Sequence, residues 1–362
     1  AGEDMSDLDA FIDKVVGPGR FRVEDDFGNG FVRLRVSEAE RRQAKHDIQH
    51  VEDIVIEMLR NARDAGADKV YLATTKEEGV RTLLFLDNGS GVPQDMQERI
   101  FDARVTSKLE SMKMDRWGVH GRGMALFSIK QNTDEARVVT SGVDLGSAFK
   151  VCVATDRLGE RADQSSWPQA VKDDDGRYVC ARGPHNIIRA ACEFALEELR
   201  CCDVYLGSPS EIAATLYAQA SSRLDTSRLL FIDDECELPV IDRLGLASDA
   251  EDFIRICSGL GLEMSERTAH RILSGQIKPV RGVTARLLRE RDSTSHAPAP
   301  VDLAKDRRGL RIAKDDMAQF SRAVERDFND LAARYYLNLC GDPKIRVSRD
   351  RITVTFDLAK EE

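Results

Sequence analysis

Apolar residues recur at helical spacing in the segment that ends at Ala65. These positions, three or four residues apart as on one face of a helix, are Val51, Ile54, Val55, Met58, Leu59 and Ala62. Ser37 is a suitable N-cap, and Gly66 is a residue type that commonly ends helices. The pattern therefore predicts a helical stretch from Ser37 to Ala65.

Shorter apolar runs separated by turn residues follow this helix, which is typical of strands. Strands are predicted at residues 69–73, 82–86, 136–141 and 147–154. Helices are predicted at residues 93–101 and 124–131, and a hairpin on the two sides of Gly28-Asn-Gly30. This order of elements predicts an α+β fold, an α/β sandwich with helices on one face of a mixed sheet.

The pattern becomes mainly helical after residue 183. Helices are predicted at residues 186–199, 212–220 and 315–339, and a terminal hairpin at residues 345–356. The start of the second helix is marked by a capping box around Pro209. We predict four regions: residues 1–155 form the α/β domain, 156–183 a linker or excursion, 184–290 a helical region, and 291–362 a linker, a long helix and the hairpin.

The composition is that of an ordinary soluble chain. Of the 362 residues, 42% are hydrophobic and 32% are charged, and the formal net charge is −10. This balance argues against a protein whose whole surface coats nucleic acid or an anionic membrane. The sequence contains neither an apolar run of about 18 residues nor a basic-then-apolar N-terminal signal. We therefore expect a cytoplasmic protein with no membrane partner.

Three polar side chains and two glycines form a candidate nucleotide site. Glu57 and Asn61 are four residues apart and therefore lie on one helix face. The Asn61 amide oxygen can ligate Mg²⁺ that carries phosphates, which leaves Glu57 to polarise a water. Asp87 follows an apolar strand and can accept a hydrogen bond from an exocyclic amine such as that of adenine. Gly89 and Gly91 let the backbone turn tightly and approach a flat base.

A glycine-rich segment follows, from Thr106-Ser-Lys108 to the helix predicted after Gly123. Backbone N–H groups and the positive end of a helix dipole attract phosphates, and Lys108 and Arg122 would add positive charge. The segment follows polar residues rather than a strand, which disfavours a Rossmann site, and the sequence contains no P-loop motif. We therefore expect this segment to contact the phosphates.

The order of these motifs resembles the GHKL superfamily, which includes gyrase, the large heat-shock chaperone, histidine kinases and MutL. The motifs are Glu-x-x-x-Asn-Ala-x-Asp-Ala, Asp-x-Gly-x-Gly, the glycine-rich segment and Gly-Ser-Ala-Phe, within residues 31–153. Arg-Val-Thr-Ser-Lys at 104–108 and Gly-Val-His-Gly at 118–121 look closest to the MutL and topoisomerase VI B-subunit type. The resemblance implies the Bergerat α/β sandwich, with ATP and Mg²⁺ as ligands.

The resemblance also implies a role for each matching residue. Glu57 would be the general base for water attack, and Asn61 would be the Mg²⁺ ligand. Asp64 would support the helix, and Asp87 would bind the adenine amine. Ser147 stands where the family often has a threonine beside the base.

The glycine-rich segment would form a lid around the phosphates. Its glycines are Gly118, Gly121 and Gly123, with Lys108 nearby. Arg122-Gly123 replaces the Glu-Ala of MutL, so the resemblance covers the position of the lid but not its detailed sequence.

Residues 253–290 resemble a helix-turn-helix. A short helix and a Gly-Leu turn precede a second helix that Ser265 caps, and Arg267, His270 and Arg271 would lie on its exposed face. The segment contains seven Lys and Arg and three acidic residues, which makes DNA a candidate partner. The alternative is an ordinary amphipathic hairpin with a solvated basic face. Lys278 would extend the basic surface or, as a lysine does in gyrase-like proteins, reach the γ-phosphate.

We therefore expect a slowly hydrolysing ATPase that acts as a nucleotide-driven switch or clamp on DNA, with ATP-dependent homodimerisation. The first alternative is a histidine-kinase-like phosphotransferase, although His46 and His50 lie within a few turns of Glu57 on the same helical stretch. The second alternative is a regulator that is gated by ATP and hardly hydrolyses it.

Overall fold

Two structural units make up the chain in the computed structural model, Ala1–Asp292 and Ser293–Glu362. The structure describes residues 23–28, 30–106, 113–115, 118–120, 123–199, 201–224, 234–292, 314–332, 337–341, 343–347 and 352–360. Three residues with a predicted role, Lys108, Gly121 and Arg122, lie outside the described residues.

The first unit alternates helices and strands and then becomes mainly helical. Its helices are α1 (Glu38–Asp47), α2 (Val51–Asp64), α3 (Ala125–Asn132), α4 (Ile187–Glu197), α5 (Pro209–Arg223), α6 (Ala250–Gly259), α7 (Glu266–Leu273) and α8 (Val283–Asp292). Its strands are β1 (Val23–Gly28), β2 (Phe31–Leu34), β3 (Lys69–Glu77), β4 (Val80–Asp87), β5 (Val105–Thr106), β6 (Lys113–Asp115), β7 (Gly118–His120), β8 (Glu135–Ser141), β9 (Ser147–Ala154), β10 (Gln169–Lys172), β11 (Tyr178–Arg182) and β12 (Asp203–Gly207).

The central sheet of this unit has five strands in the order β12-β3-β4-β9-β8. Strand β12 is parallel to β3, and the other neighbouring pairs are antiparallel. Strands β3, β4, β8 and β9 match the four strands predicted from the sequence. No strand is predicted at β12, which adds an edge to the sheet from the region expected to be helical. The α+β fold with a mixed sheet and a mainly helical region after it is confirmed.

Side chains on β4 alternate between the two faces of the sheet. Leu83 and Phe85 belong to a core with α2, α3 and α4, whereas Leu84 and Leu86 belong to a second core with α5, α6 and α7. Because both faces are buried, β4 is a continuous apolar run rather than an alternating one. Helices therefore cover both faces, whereas the sequence predicts helices on one face only.

The helical stretch predicted over residues 37–65 is interrupted between α1 and α2. The Asp53 carboxylate, in the first turn of α2, accepts hydrogen bonds from the backbone N–H groups of Gln49 and His50, both at 2.8 Å. Ile48 is buried in the break. The prediction of one continuous helix is wrong because Asp53 caps a new helix start.

The first unit also has small two- and three-stranded sheets. Strand β1 pairs antiparallel with β2, which confirms the N-terminal hairpin, and β2 also pairs with β5. Residues 93–101 form two 3₁₀ turns, Gln94–Met96 and Arg99–Phe101, instead of one helix. The predicted linker over residues 156–183 contains the antiparallel pair β10–β11. No helix in the described part of the chain is long and apolar enough to cross a membrane.

The second unit has one helix and two small sheets in its described residues. Its elements are α9 (Lys314–Ala332), β13 (Leu337–Leu339), β14 (Lys344–Val347), β15 (Ile352–Thr355) and β16 (Leu358–Lys360). Strands β14 and β15 pair antiparallel, which confirms the terminal hairpin. The helix predicted over residues 315–339 is too long, because residues 337–339 form β13 and pair with β16.

Candidate functional site

A cavity of about 410 Å³ lies beside α2 and the ends of β4 and β9. Six residues with a predicted nucleotide role line it, namely Glu57, Asn61, Asp87, Gly91, Gly123 and Ser147. Its apolar walls include Phe31, Met58, Ile100 and Phe149. The fold therefore collects the predicted residues from one helix, two strand ends, the turn after β4 and the loop before α3. Asp64 and Gly89 are not among the lining residues.

Asp87 stands at one side of the cavity, at the last position of β4. The residue is only 4% exposed, and its Oδ1 accepts a hydrogen bond from the N–H of Gly89 at 2.8 Å. Its Cα partner across the sheet is Ser147, the first residue of β9. A buried carboxylate is stable only where hydrogen-bond donors surround it. This environment therefore suits a ligand that presents an amine.

A serine pair lies beside Asp87, and one member, Ser141, has no predicted role. Ser141 Oγ accepts from the N–H of Val92 at 2.8 Å and donates to the carbonyl of Gly146 at 2.9 Å. Ser147 Oγ lies 3.0 Å from Ser141 Oγ. Since the single hydroxyl hydrogen of Ser141 is used on Gly146, Ser147 is the donor in this pair. The pair fixes the Ser147 hydroxyl at the cavity wall.

The turn after β4 is held from two sides. The Ser90 N–H donates to the carbonyl of Ala65 at the end of α2, and the Ser90 carbonyl accepts from the N–H of Asp144, both at 2.8 Å. Gly91 has φ +69°, and a Cβ built on it would lie 1.8 Å from the carbonyl oxygen of Gly142. The turn that carries Gly91 is therefore packed between α2 and the β8–β9 turn.

Glu57 projects from α2 into the cavity and forms an ion pair there. Its Oε1 accepts a hydrogen bond from Arg60 Nη1 at 2.6 Å. The Glu57 side chain is 22% exposed, whereas that of Arg60 is 3% exposed. No role is predicted for Arg60, since a charged residue inside an amphipathic helix usually belongs to the solvated face. The structure places it in the cavity wall instead.

Asp64 lies at the end of α2, in an ion-pair network. Arg63 bridges two carboxylates: its Nε lies 2.8 Å from Asp64 Oδ1, and its Nη1 lies 2.9 Å from Glu198 Oε1, just after α4. The side chains of Arg63 and Asp64 are almost fully buried. The network ties the end of α2 to the residue after α4, and Asp64 is part of it.

The two ends of the predicted lid meet at the base of the cavity. The Arg104 N–H donates to the carbonyl of Gly123 at 2.8 Å, and the Leu34 N–H donates to the carbonyl of Arg104 at 3.0 Å. Arg104 has φ +59°, a left-handed conformation that is costly for a residue with a side chain. Its guanidinium forms a short ion pair with Glu40 of α1.

The carboxyl group of Glu40 is held in its charged form. Burial acts to raise its pKa, but hydrogen bonds from Ser37 and the neighbouring Arg104 guanidinium outweigh burial and lower the pKa. Ser37 and Glu40 also form a capping box that starts α1. One carboxylate therefore links the start of α1 to the base of the lid.

Protein carboxylates do not form a metal cage in the described residues. No group of three or more His, Cys, Asp and Glu side chains there is arranged to hold a metal ion. Mg²⁺ does not require such a cage, because it keeps several waters and binds substrate phosphates with one or two protein oxygens. The amide of Asn61, in the cavity wall one turn from Glu57, can supply one such oxygen.

The candidate helix-turn-helix packs on the face of the central sheet that points away from the cavity. Ala269 and Ile272 of α7 are buried in the second core, whereas Arg267, His270 and Arg271 are exposed. Ser265 caps α7, as predicted, by accepting a hydrogen bond from the N–H of Thr268. The exposed side chains line a surface depression, which also includes Glu266, Ser274 and Gln276. Lys278 is exposed and does not line the cavity that contains Glu57.

Comparison with known proteins shows what the N-terminal part of the chain is similar to. Residues 48–148 match the family described as histidine kinase-, DNA gyrase B- and HSP90-like ATPase. This segment is a GHKL-superfamily domain. The resemblance predicted from the motifs is thereby confirmed, and the match covers α2, β3, β4, β8, the start of β9 and most of the residues that line the cavity.

Curated relatives of the GHKL domain are named DNA mismatch repair protein MutL. The protein from Brucella abortus (strain S19) is 34% identical over 112 residues, which are 31% of this chain and 18% of the relative. The proteins from Thermodesulfovibrio yellowstonii and Chlorobium phaeovibrioides are each 31% identical, over 29% and 33% of this chain and 19% and 20% of the relatives. The chain matches about a fifth of the length of these relatives.

Proposed function

We propose that the chain binds ATP with Mg²⁺ in the cavity beside α2, hydrolyses it slowly and thereby acts as a nucleotide-driven switch. The observation that carries this proposal is that Glu57, Asn61 and Asp87 line one cavity of about 410 Å³. This volume is in the range of small-molecule sites, about 300–1,000 Å³. The family match and the MutL relatives support ATP as the ligand.

The adenine would bind at the Asp87 side of the cavity. The buried carboxylate of Asp87 would accept a hydrogen bond from the exocyclic amine, and the fixed hydroxyl of Ser147 lies on the neighbouring strand. The apolar side chains of Phe31, Met58 and Phe149 also line the cavity and would contact the flat base. The carboxylate of Asp87 and the hydroxyl of Ser147, on adjacent strands, would therefore recognise the hydrogen-bonding edge of the adenine.

The triphosphate would extend along α2 towards Glu57. When bound, Mg²⁺ would neutralise phosphate charge, with Asn61 as its protein ligand. Gly123 and the first turn of α3 line the same cavity, so backbone N–H groups there would contact phosphate oxygens. Glu57 would accept a proton from the water that attacks the γ-phosphorus, and ADP and phosphate would leave.

A polar connection between the cavity and the second helical layer supports a switch. The N–H of Val240 donates to the carbonyl of Leu145, in the β8–β9 turn, at 2.7 Å. The Arg243 guanidinium donates to Thr140 Oγ1 at 2.9 Å and to the carbonyl of Leu238 at 3.1 Å. Residues 240–243, which precede α6, are therefore hydrogen-bonded to the end of β8 and to the β8–β9 turn. The same turn packs against Gly91. A change at the base site would reach α6 and α7 through these contacts.

Two substitutions test the ATP site. Asp87→Asn should abolish ATP binding. The oxygen of the new amide would accept from the N–H of Gly89, as Oδ1 of Asp87 does, and its NH₂ group would then face the adenine amine. Glu57→Gln should keep ATP binding and lose hydrolysis. Equilibrium binding of a fluorescent ATP analogue and steady-state phosphate release measure the two properties. Asp134→Asn, at an exposed ion pair with Arg157, is the control. Unchanged affinity in Asp87→Asn, or undiminished turnover in Glu57→Gln, would contradict the assignment.

The alternatives predict different products and states. Incubation with γ-labelled ATP should leave the protein unlabelled, and a stable phosphohistidine at His46 or His50 would support a phosphotransferase instead. Tight ATP binding without phosphate release would support a non-hydrolysing regulator. The molecular mass with and without a non-hydrolysable ATP analogue tests ATP-dependent homodimerisation.

The second proposed activity is DNA binding through α7. The supporting observation is the separation of its two faces, with Ala269 and Ile272 buried and Arg267, His270 and Arg271 exposed. Such a helix can face the phosphates and base edges of a duplex while its other face stays anchored. The phosphate-release assay with and without duplex DNA tests whether the two activities are coupled.

A further inference from the structure

The charged residues that line the GHKL cavity are unevenly distributed. Among the described lining residues, three are acidic, Asp47, Glu57 and Asp87, and Arg60 is the only cation. Arg60 is also the most deeply buried of these four, with a side chain that is 3% exposed. Burying a guanidinium is costly unless an anion accompanies it. Arg60 therefore needs an anionic environment, and one carboxylate of the same helix contacts it directly.

That carboxylate is Glu57, the proposed general base. The two residues are three positions apart on α2, so their side chains share one helix face. The bond from Arg60 Nη1 to Glu57 Oε1 is 2.6 Å long, which is short for a charge-assisted hydrogen bond. Arg60 has little freedom, because its guanidinium is planar and its side chain is enclosed. It therefore restricts the rotamers of Glu57, whose side chain is partly open to the cavity.

We propose that Arg60 is a positioning residue that holds the Glu57 carboxylate where it can receive a proton from the attacking water. This inference rests on the proposed hydrolysis. A base acts only when it lies within hydrogen-bond distance of the proton that it removes, and a displacement of about 1 Å can cost about 100-fold in rate. Glu57 has several rotatable bonds, and the ion pair with Arg60 removes that freedom before ATP arrives.

The role differs from that of a phosphate ligand in a measurable way. A residue that positions the base affects kcat and leaves ATP affinity almost unchanged, whereas a phosphate ligand affects affinity. Arg60→Met keeps a long side chain without charge, and we expect it to lower kcat by about 10- to 100-fold with the dissociation constant for ATP within about threefold. Arg60→Lys should recover part of kcat, because it restores a cation without the planar fork.

Arg189→Met is the matched control. Arg189 is also mostly buried in a helix and paired with a carboxylate, Glu193 Oε1 at 2.9 Å, but it lies on α4 and does not line the cavity. Its loss should change stability and leave kcat unchanged. Arg60→Gln, which keeps a donor without charge, replaces the methionine variant if that variant does not fold. It should show the same fall in kcat at constant affinity.

The full chain is assayed for ATP affinity and phosphate release, with Glu57→Gln in parallel. If the wild type releases no phosphate, or Glu57→Gln releases it normally, the proposed hydrolysis fails and the role of Arg60 fails with it. If Glu57→Gln is inactive but the neutral Arg60 variants keep kcat, only the role of Arg60 is overturned. A loss of affinity at unchanged kcat would make Arg60 a phosphate contact and would also overturn the inference.

Discussion

Gly91 and Gly142 pack so closely that a Cβ built on Gly91 would lie 1.8 Å from the Gly142 carbonyl oxygen. Close approach to a flat base is the reason that the sequence offers for a glycine at this position. The structure provides a second reason within the protein itself, since the turn after β4 packs directly against the β8–β9 turn. Gly91 therefore contributes to the shape of the cavity before any nucleotide binds.

Gly91→Ala should destabilise the GHKL domain by at least about 2 kcal/mol, because backbone overlap adds to the cost of a left-handed φ. Gly79→Ala is the control, since Gly79 has φ +83° and a Cβ added to it would meet nothing within 4 Å. That change should cost only about 1 kcal/mol. Urea unfolding measures both values, and equal losses would show that the contact with Gly142 does not matter.

Ser141→Ala should weaken ATP binding by about 3- to 10-fold, the effect of losing about one hydrogen bond. The substitution removes the acceptor for the Ser147 hydroxyl and for the Val92 N–H. Calorimetric titration with ATP measures the affinity. Ser221→Ala, on α5, removes an exposed hydroxyl that donates to the carbonyl of Tyr217, and it should leave the affinity unchanged. Equal affinities for wild type and Ser141→Ala would remove Ser141 from the site.

The motifs made one part of the site predictable and left another part hidden. Glu57, Asn61 and Asp87 could be placed in one pocket because helical spacing and a strand end determine where they point. Ser141 and Arg60 could not be assigned. The hydrogen bond of Ser141 to Val92 spans 49 residues, and Arg60 has the sequence context of a solvated helix position. Their roles depend on packing that periodicity does not encode.

The same distinction applies to the fold. Strands β3, β4, β8 and β9 follow from local apolar runs and turns, whereas β12 pairs with β3 across more than a hundred residues. The break between α1 and α2 depends on the Asp53 carboxylate, which accepts hydrogen bonds from two backbone N–H groups, whereas an acidic residue within a helical apolar pattern is equally expected on the solvated face of a continuous helix. The second helical layer on the sheet is not predicted either, because the continuous apolar run of β4 does not indicate which distant helices cover its second face.

Asp64→Asn should lower stability by about 1.5–3 kcal/mol, because it removes one of the two carboxylates that pair with the buried Arg63 guanidinium. The ATP affinity of the folded protein should change little, since Asp64 does not line the cavity. Asp134→Asn breaks the exposed pair with Arg157 and should cost less than about 1 kcal/mol. Urea unfolding and ATP titration measure the two effects. A large loss of affinity at unchanged stability would instead make Asp64 a ligand contact.

Glu40→Gln should destabilise the domain by about 0.5–1 kcal/mol at neutral pH, since the ion pair with Arg104 is partly exposed. The pKa of Glu40 is lowered in the folded state, so its contribution is complete above its unfolded pKa and is lost as the pH falls through the folded pKa. The difference between wild type and variant should be constant from about pH 8 to pH 5 and shrink below about pH 4. Unfolding curves across this range measure it, with Glu38→Gln as the control in the same helix turn. A difference that grows in acid would contradict the assignment.

Arg267→Ala and Arg271→Ala should each weaken binding to a random-sequence duplex if α7 faces DNA. Each lost phosphate contact should also reduce the slope of log affinity against log salt by about 0.9, because fewer counterions are released. Arg255→Ala, on α6 and paired with Glu235, removes a basic residue outside the α7 face and should change neither value. Fluorescence anisotropy at several salt concentrations measures both quantities. Identical slopes for all three variants and the wild type would show that α7 is a solvated helix and that any DNA contact lies elsewhere.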